Sequence, residues 1–343
     1  MSSAPAATIP PADVSLPRAA ANVPTPADSL LRRALRSGRV LVGGGILLLV
    51  LLACVATVPW TMREHAALYY DRQTPATRFH PSWAATDDER AAAAKAQLGP
   101  VVGLFGYDNL GRSMLARCML GGCISLAVGI AAAGISITLG VAVGLIAGYK
   151  GGWVDSLLMR LVDILYGLPY ILLVILFKIA FEPVLGRMGL NPQAANLVVL
   201  FSAIGLVSWL TMARVVRGQV LSLRGQPFIE AARALGLPSS RIFMRHIMPN
   251  LVGPVTVYAT LTVPQAILQE SFLSFLGVGV NPPLPTWGSL ASDALLYGLN
   301  PIAVYWWMLA FPCVLLAVTL LSLNFVGDGL RDVFDPKRDA AKI

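Results

Sequence analysis

Residues able to do chemistry are few in this chain and lie far apart. Asp163 follows Arg160 by three residues, and Glu270 follows Gln265 and Gln269 at helical spacings that read as one polar stripe. Both carboxylates fall inside apolar runs, and an ionisable group there faces protein or water rather than lipid, so each is a candidate for a translocation path or an ion site. The plainer reading of Asp163 is an ion pair that fixes helix packing near the membrane surface. For Glu270, a structural hydrogen-bonded cluster and a water-filled path stand level. Of the other reactive types, His65, His80 and His246 have no metal-ligand spacing, and Cys54, Cys118, Cys123 and Cys313 sit within or beside apolar runs, where a small thiol is tolerated. A bridge between Cys118 and Cys123 stays open. No G-x-x-x-x-G-K-[ST], G-x-S-x-G or H-E-x-x-H occurs. Uphill work by this chain therefore draws on another subunit or on an ion gradient.

The elements that must carry these residues are membrane spans. With 56% hydrophobic residues, 13% charged and a mean hydropathy of +0.68, the 343 residues leave the soluble class. Runs of about 20 apolar residues, the length that crosses a hydrocarbon core, fit at 40–60, 119–148, 161–181, 194–213, 251–276 and 302–326. The expectation is an all-α membrane protein with six transmembrane helices. Its net charge of +8 reflects the positive-inside rule rather than nucleic-acid binding, since no basic patch interleaved with aromatics lies outside the runs. The segment 182–193 offers only Arg187 and 277–301 offers no cation, whereas 214–250 carries Arg214, Arg217, Arg224, Arg233, Arg241 and Arg245. That asymmetry places both termini inside.

Residues 1–39, rich in Ala, Pro and Ser, read as a disordered cytoplasmic tail closed by Arg32, Arg33, Arg36 and Arg39. The first span at 40–60 leads to an outer segment at 61–118, in which Asp87, Asp88, Glu89 and the alanines of 91–94 suggest a short exposed helix. A transmembrane core at 119–326 contains an inside loop at 218–250, and 327–343 is a charged cytoplasmic tail opening with a tight turn at Gly327-Asp328-Gly329. Gly140, Gly144 and Gly148 make two overlapping G-x-x-x-G spacings, a flat strip for close helix approach, although glycine is common in membrane helices anyway. Lys178 and Glu182 are expected to snorkel to the outer surface. The Gly- and Pro-rich 277–301 reads as an outer loop that needs protein cover, and Trp306 and Trp307 as an aromatic belt.

Between two of the spans, 227–250 reads PFIEAARALGLPSSRIFMRHIMPN. Pro227 suits a first helical turn; Phe228, Ala231, Ala232 and Leu235 recur on one face, with Glu230 and Arg233 off it. Gly236 stops the helix. Ser239 or Ser240 can cap a second short helix with Ile242, Phe243 and Ile247 that ends at Pro249. Neither piece is stable alone in water, so each needs a surface.

Glu230-Ala231-Ala232, then Gly236, then Ile247-Met248-Pro249 resembles the "EAA" loop by which bacterial ABC-importer permeases dock on their ATP-hydrolysing subunits. The stretches 104–126, 144–173, 213–223, 270–288 and 327–336 extend the likeness, which is to the C-type subunit of the dipeptide/oligopeptide permease group, whose members also carry nickel or glutathione. Departures from that pattern are His246 and Met248 in the loop, and Leu104-Phe105-Gly106-Tyr107-Asp108, which lacks the usual His and Thr. The resemblance implies a type I importer permease fold with a cytoplasmic coupling helix, in the bacterial inner membrane. It implies four kinds of partner: a second homologous permease subunit, two ATP-binding cassette subunits, a periplasmic substrate-binding protein and the lipid bilayer. No cofactor is expected on this chain, with ATP and magnesium held by the ATPases, and no enzymatic activity. Docking residues would be Phe228, Glu230, Ala231, Ala232, Arg233, Leu235 and Gly236. An ion-coupled secondary transporter using Asp163 and Glu270 is the alternative, and a structural membrane scaffold is a third reading.

Overall fold

The structure, a computed structural model, describes residues 34–61, 78–96, 98, 100–299 and 304–334. Of the disordered tail expected over 1–39, residues 1–33 lie outside the described residues, as do the last residues of the C-terminal tail and His65, while 34–36 and 38–39 are helical rather than disordered. Among the described residues, five helices are long and apolar enough to cross a membrane, and a bent pair supplies a sixth crossing if it counts as one span. They are α1 (Gly38–Thr61), α3 (Met114–Lys150), α6 (Pro192–Arg224), the continuous helical run Ser239–Phe275, and α11 (Trp307–Phe334).

The central element is α3, which packs on α6, on α9 (Met248–Phe275) and on α1. Its glycines explain the closest of these contacts: a Cβ at Gly140 would stand 2.5 Å from Met212 Cβ, at Gly144 2.6 Å from the Ala213 carbonyl oxygen, and at Gly148 2.8 Å from Val220 Cβ. No other side chain would let α6 approach so near. Outside this pair, α11 lies against α1 and α9.

The expected third span, 161–181, is not one helix. It is α4 (Gly152–Tyr166) and α5 (Tyr170–Arg187), bent by 92° at their junction. Pro169 is the cause: it lacks an amide hydrogen and pushes the preceding residue out of the helical region, so the apolar run continues while the backbone turns. Helix α4 starts directly at Gly152, and the break before it is Gly151.

Two further boundaries move for physical reasons. No tight turn forms at Gly327, because α11 runs on to Phe334. Gly327 and Gly329 are packing positions where a Cβ would meet Leu261 at 3.0 Å and Val40 at 2.5 Å. Nor does a helix end at Pro249. After α8 (Ser239–Ile242) the residues Phe243–Ile247 form a π turn, and Pro249 enters the first turn of α9, where its missing N–H costs nothing. The cap of α8 is Pro238 rather than a serine.

At the end of the molecule opposite α7 (Pro227–Ala234), the outer segment forms α2 (Asp87–Lys95), started by a Thr86–Glu89 capping box. The expected outer loop contains α10 (Trp287–Asp293), continued by a π turn over Ala294–Gly298. Trp287 is wholly buried, its indole N–H donating to the Cys118 carbonyl at 3.0 Å. Trp307, expected in a lipid-facing belt, is also wholly buried and donates to the Tyr107 carbonyl at 3.1 Å, while Trp306 stays exposed.

Candidate functional site

Helix α7 is built to be held from one side. Ile229 and Ala232 turn inward and join Val216, Val220, Ile242, Ile247 and Leu251 in one apolar cluster. Phe228, Ala231 and Leu235 project outward beside Glu230 and Arg233. The sequence grouped Ala232 with Phe228, Ala231 and Leu235, whereas the structure assigns Ala232 to the inner face with Ile229, a residue the sequence reading missed. Ile229 has no exposed surface, against 80% for Leu235 and 44% for Phe228. Gly236 adopts a φ of +74° in open space. There the chain reverses through Gly236 N–H to Arg233 C=O at 2.9 Å and Leu237 N–H to Ala232 C=O at 3.2 Å. From α3, the Tyr149 hydroxyl donates to the Ser239 carbonyl at 2.6 Å. The short helix therefore borrows its stability from α3, α6 and α9 and leaves a mixed apolar and charged face uncovered.

The candidate path residues are not one stripe. Glu270 has no exposed surface and faces α3 and the outer cap, accepting from Ser125 Oγ at 3.2 Å and Ser274 Oγ at 2.6 Å. Ser125 Oγ in turn accepts from the Trp287 amide, and Ser274 Oγ from Thr286 Oγ1. This is a structural cluster joining α3, α9 and α10. Gln265 and Gln269 point elsewhere, because position 270 lies about 140° around the helix from 265 at 100° per residue. They line a cleft of about 510 Å³ with Tyr166, Tyr170, Thr211 and Tyr258, between the α4–α5 bend, α6 and α9. Gln269 Oε1 and the Tyr170 hydroxyl have no hydrogen-bond partner there. An unpaired buried polar atom costs about 1–3 kcal/mol, so the wall of this cleft has bonding capacity left over.

Asp163 is in neither place. Its exposed carboxylate accepts from Arg214 on α6 at 2.7 Å rather than pairing with Arg160, and Arg214 also lies 4.1 Å over the Tyr166 ring. The bend at 167–169 goes with the change of partner, since α4 lies against the end of α6 through Asp163–Arg214. A second clamp, Asp155 with Arg217 at 2.5 and 2.6 Å, holds the same two helices. Asp163 and Glu270 share no cavity, and so the ion-coupled alternative loses its paired site. Lys178 does not snorkel: its ammonium donates to the carbonyls of Val278 and Gly279, at 3.0 Å each, and pins the outer loop to α5. All four cysteines are free thiols.

The end opposite α7 carries a buried charge cluster. Asp108 Oδ2 accepts from Arg112 Nε at 2.7 Å and Arg117 Nη1 at 2.8 Å, and Arg117 reaches Asp293 at 3.1 Å. The His and Thr absent from the run before Asp108 thus do not deprive the carboxylate of its role. It ties the outer segment to the start of α3 and the end of α10.

Helices of membrane-crossing length, a short helix with an uncovered face and a cleft between helices fit a membrane transport permease. The model of the family of binding-protein-dependent transport system inner membrane components matches residues 140–340, and the chain belongs to that family. The chain is 50% identical over 233 residues to the oligopeptide transport system permease protein OppC of Escherichia coli, covering 68% of this chain and 72% of that one. It is 42% identical over 233 residues to the dipeptide transport system permease protein DppC of Bacillus subtilis, covering 68% of each. Across 92% of this chain and 93% of the relative, it is 33% identical to the glutathione transport system permease protein GsiD of Pectobacterium atrosepticum. The fold is that of a chain in the inward facing MetNI methionine ABC transporter, with a TM-score of 0.50 and 20% identity over 64% of this chain and 97% of that one. The protein is a multi-pass permease of the inner membrane in an ATP-driven importer that depends on ATPase and substrate-binding partners. It is not an enzyme.

Proposed function

We propose that this chain is one of two unlike permease subunits of an importer for di- or oligopeptides, in which α7 is the coupling helix. It works with a second homologous permease, two ATP-binding cassette subunits and a periplasmic binding protein. Both termini lie in the cytoplasm. ATP and magnesium are handled by the ATPases, and this chain holds no cofactor.

The observation that carries the reading is the face of Phe228, Glu230, Ala231, Arg233 and Leu235, left uncovered on a helix anchored from behind by Ile229 and Ala232. A short helix with apolar side chains rimmed by charge fits a cleft on another protein, and movement of that protein would be passed on as rigid-body motion of packed helices. The peptide cargo rests on the relatives named above. Purification of the tagged chain from native membranes should bring down two ATPase chains and a second permease. Recovery of the chain by itself from membranes in which it is active would overturn the assignment.

A further inference from the structure

We propose that the cleft between the α4–α5 bend, α6 and α9 is a hydrogen-bonding subsite for the main-chain amides of the cargo, blind to the charge of its side chains. This rests on the peptide reading above. The cleft mixes apolar and polar side chains and has no ionised one in its lining. Its nearest ion pair, Asp163 with Arg214, is spent on itself and on the Tyr166 ring.

The bonding groups sort by what they have left. Ser208 donates to the Ile204 carbonyl at 2.9 Å and Thr262 to the Tyr258 carbonyl at 2.8 Å, so both hydroxyls turn only acceptor capacity toward the cleft. Tyr170 OH and Gln269 Oε1 are unpartnered and buried within the wall itself, and Gln265 is exposed on the same wall. A phenol and two carboxamides supply both donors and acceptors, the complement of a peptide bond with its own N–H and C=O. A divalent cation would find no carboxylate, imidazole or thiol in this lining, and an anion would find no guanidinium or ammonium. The volume, about 510 Å³, is within the usual range for small-ligand sites.

The test uses the whole complex in proteoliposomes with saturating binding protein, importing trialanine and its lysyl and glutamyl counterparts. In Gln269→Leu and Tyr170→Phe, import of all three peptides should fall by the same factor, about tenfold per lost hydrogen bond. Gln269→Asn, which keeps the carboxamide, should recover to within about threefold of wild type. A fall confined to one charge class, or unchanged import by Gln269→Leu, overturns the proposal, as does an Asn variant no better than Leu. Should Gln269→Leu and Tyr170→Phe fail to assemble, Gln265→Leu on the exposed part of the wall carries the same expectation. An assembled wild-type complex that imports none of the three peptides sinks the cargo reading instead.

Discussion

Single residues decide the ends of this molecule. Asp108 is wholly buried and is shared by two guanidinium groups, so Asp108→Ala takes a carboxylate from both Arg112 and Arg117 and leaves Arg117 with Asp293. Loss of one partner from a buried ion pair costs about 3–5 kcal/mol, and the variant should show a matching drop in the temperature at which the detergent-solubilised protein unfolds. Wild-type thermal stability in Asp108→Ala would mean that water fills the gap. Glu89 offers a gentler probe of the same end. Burial pushes its carboxyl up, but hydrogen bonds from the His80 ring and the Thr86 amide outweigh that and hold it below the usual carboxylate range. A depressed acid contributes stability that is fully present above its unfolded value, about 4.3, and is lost as pH falls through its folded value. The hydrogen-exchange protection factors of α2 should therefore fall below about pH 4, and Glu89→Gln should flatten that dependence. At residue scale the sequence was a partial guide. It picked out Asp163, Gln265, Gln269 and Glu270 as polar groups in apolar runs, but it could not divide them, because spacing along one helix says nothing about which neighbour lies on each side.

At the scale of elements, α7 tests the coupling role. Gly236→Leu meets no steric obstacle, only the left-handed backbone, which costs a non-glycine residue about 1–2 kcal/mol. Such a change should leave the protein inserted while import is cut about tenfold or more, since that energy exceeds what tips a docking geometry. Glu230→Lys, altering the rim charge alone, should behave likewise in transport assays on assembled complexes. Normal import by both variants would remove α7 from the mechanism. The glycine strip of α3 predicts the opposite pattern: Gly144→Leu drives a side chain into the α6 backbone and should abolish stable expression in the membrane. Apolar runs and glycine spacings made these helices readable in the sequence. The 92° bend was not, because Leu165 to Leu173 stays apolar through Pro169 and hydropathy does not register direction. The inward turn of Ile229 was equally hidden: an amphipathic helix with apolar residues on two sides has one face for its own protein and one for another, and periodicity does not say which.

For the whole molecule, orientation is the outstanding prediction. The arginines from Arg214 to Arg245 should hold α7 on the cytoplasmic side, so a cysteine placed at Arg233 in a background lacking the native cysteines should react with impermeant maleimide only in inverted vesicles. Labelling in intact cells would reverse the topology and detach α7 from any cytoplasmic ATPase. Five crossings were legible in the sequence as apolar runs of bilayer length, and the sixth expected one is the bent α4–α5 pair. The outer cap was not: the glycines and prolines of 277–301 announced a loop, yet Gly288 lets Ser271 approach and Trp287 fills the space beside Gly122, a fit that depends on three segments distant in sequence.

The π turn at 243–247 has one more effect. Because the backbone does not break there, Ser239–Phe275 is a single helical run of 37 residues, about 55 Å from end to end. One tip stands beside the outward side chains of α7, the middle bears Gln265 and Gln269, and the far tip grips the lid through Glu270 and Ser274. A swing of a few degrees at the near tip would shift the far one by several ångströms, so one lever can unlatch the entrance and reshape the passage in the same stroke. Pro254 and Pro264, each lacking an amide hydrogen within that lever, mark where it would flex first.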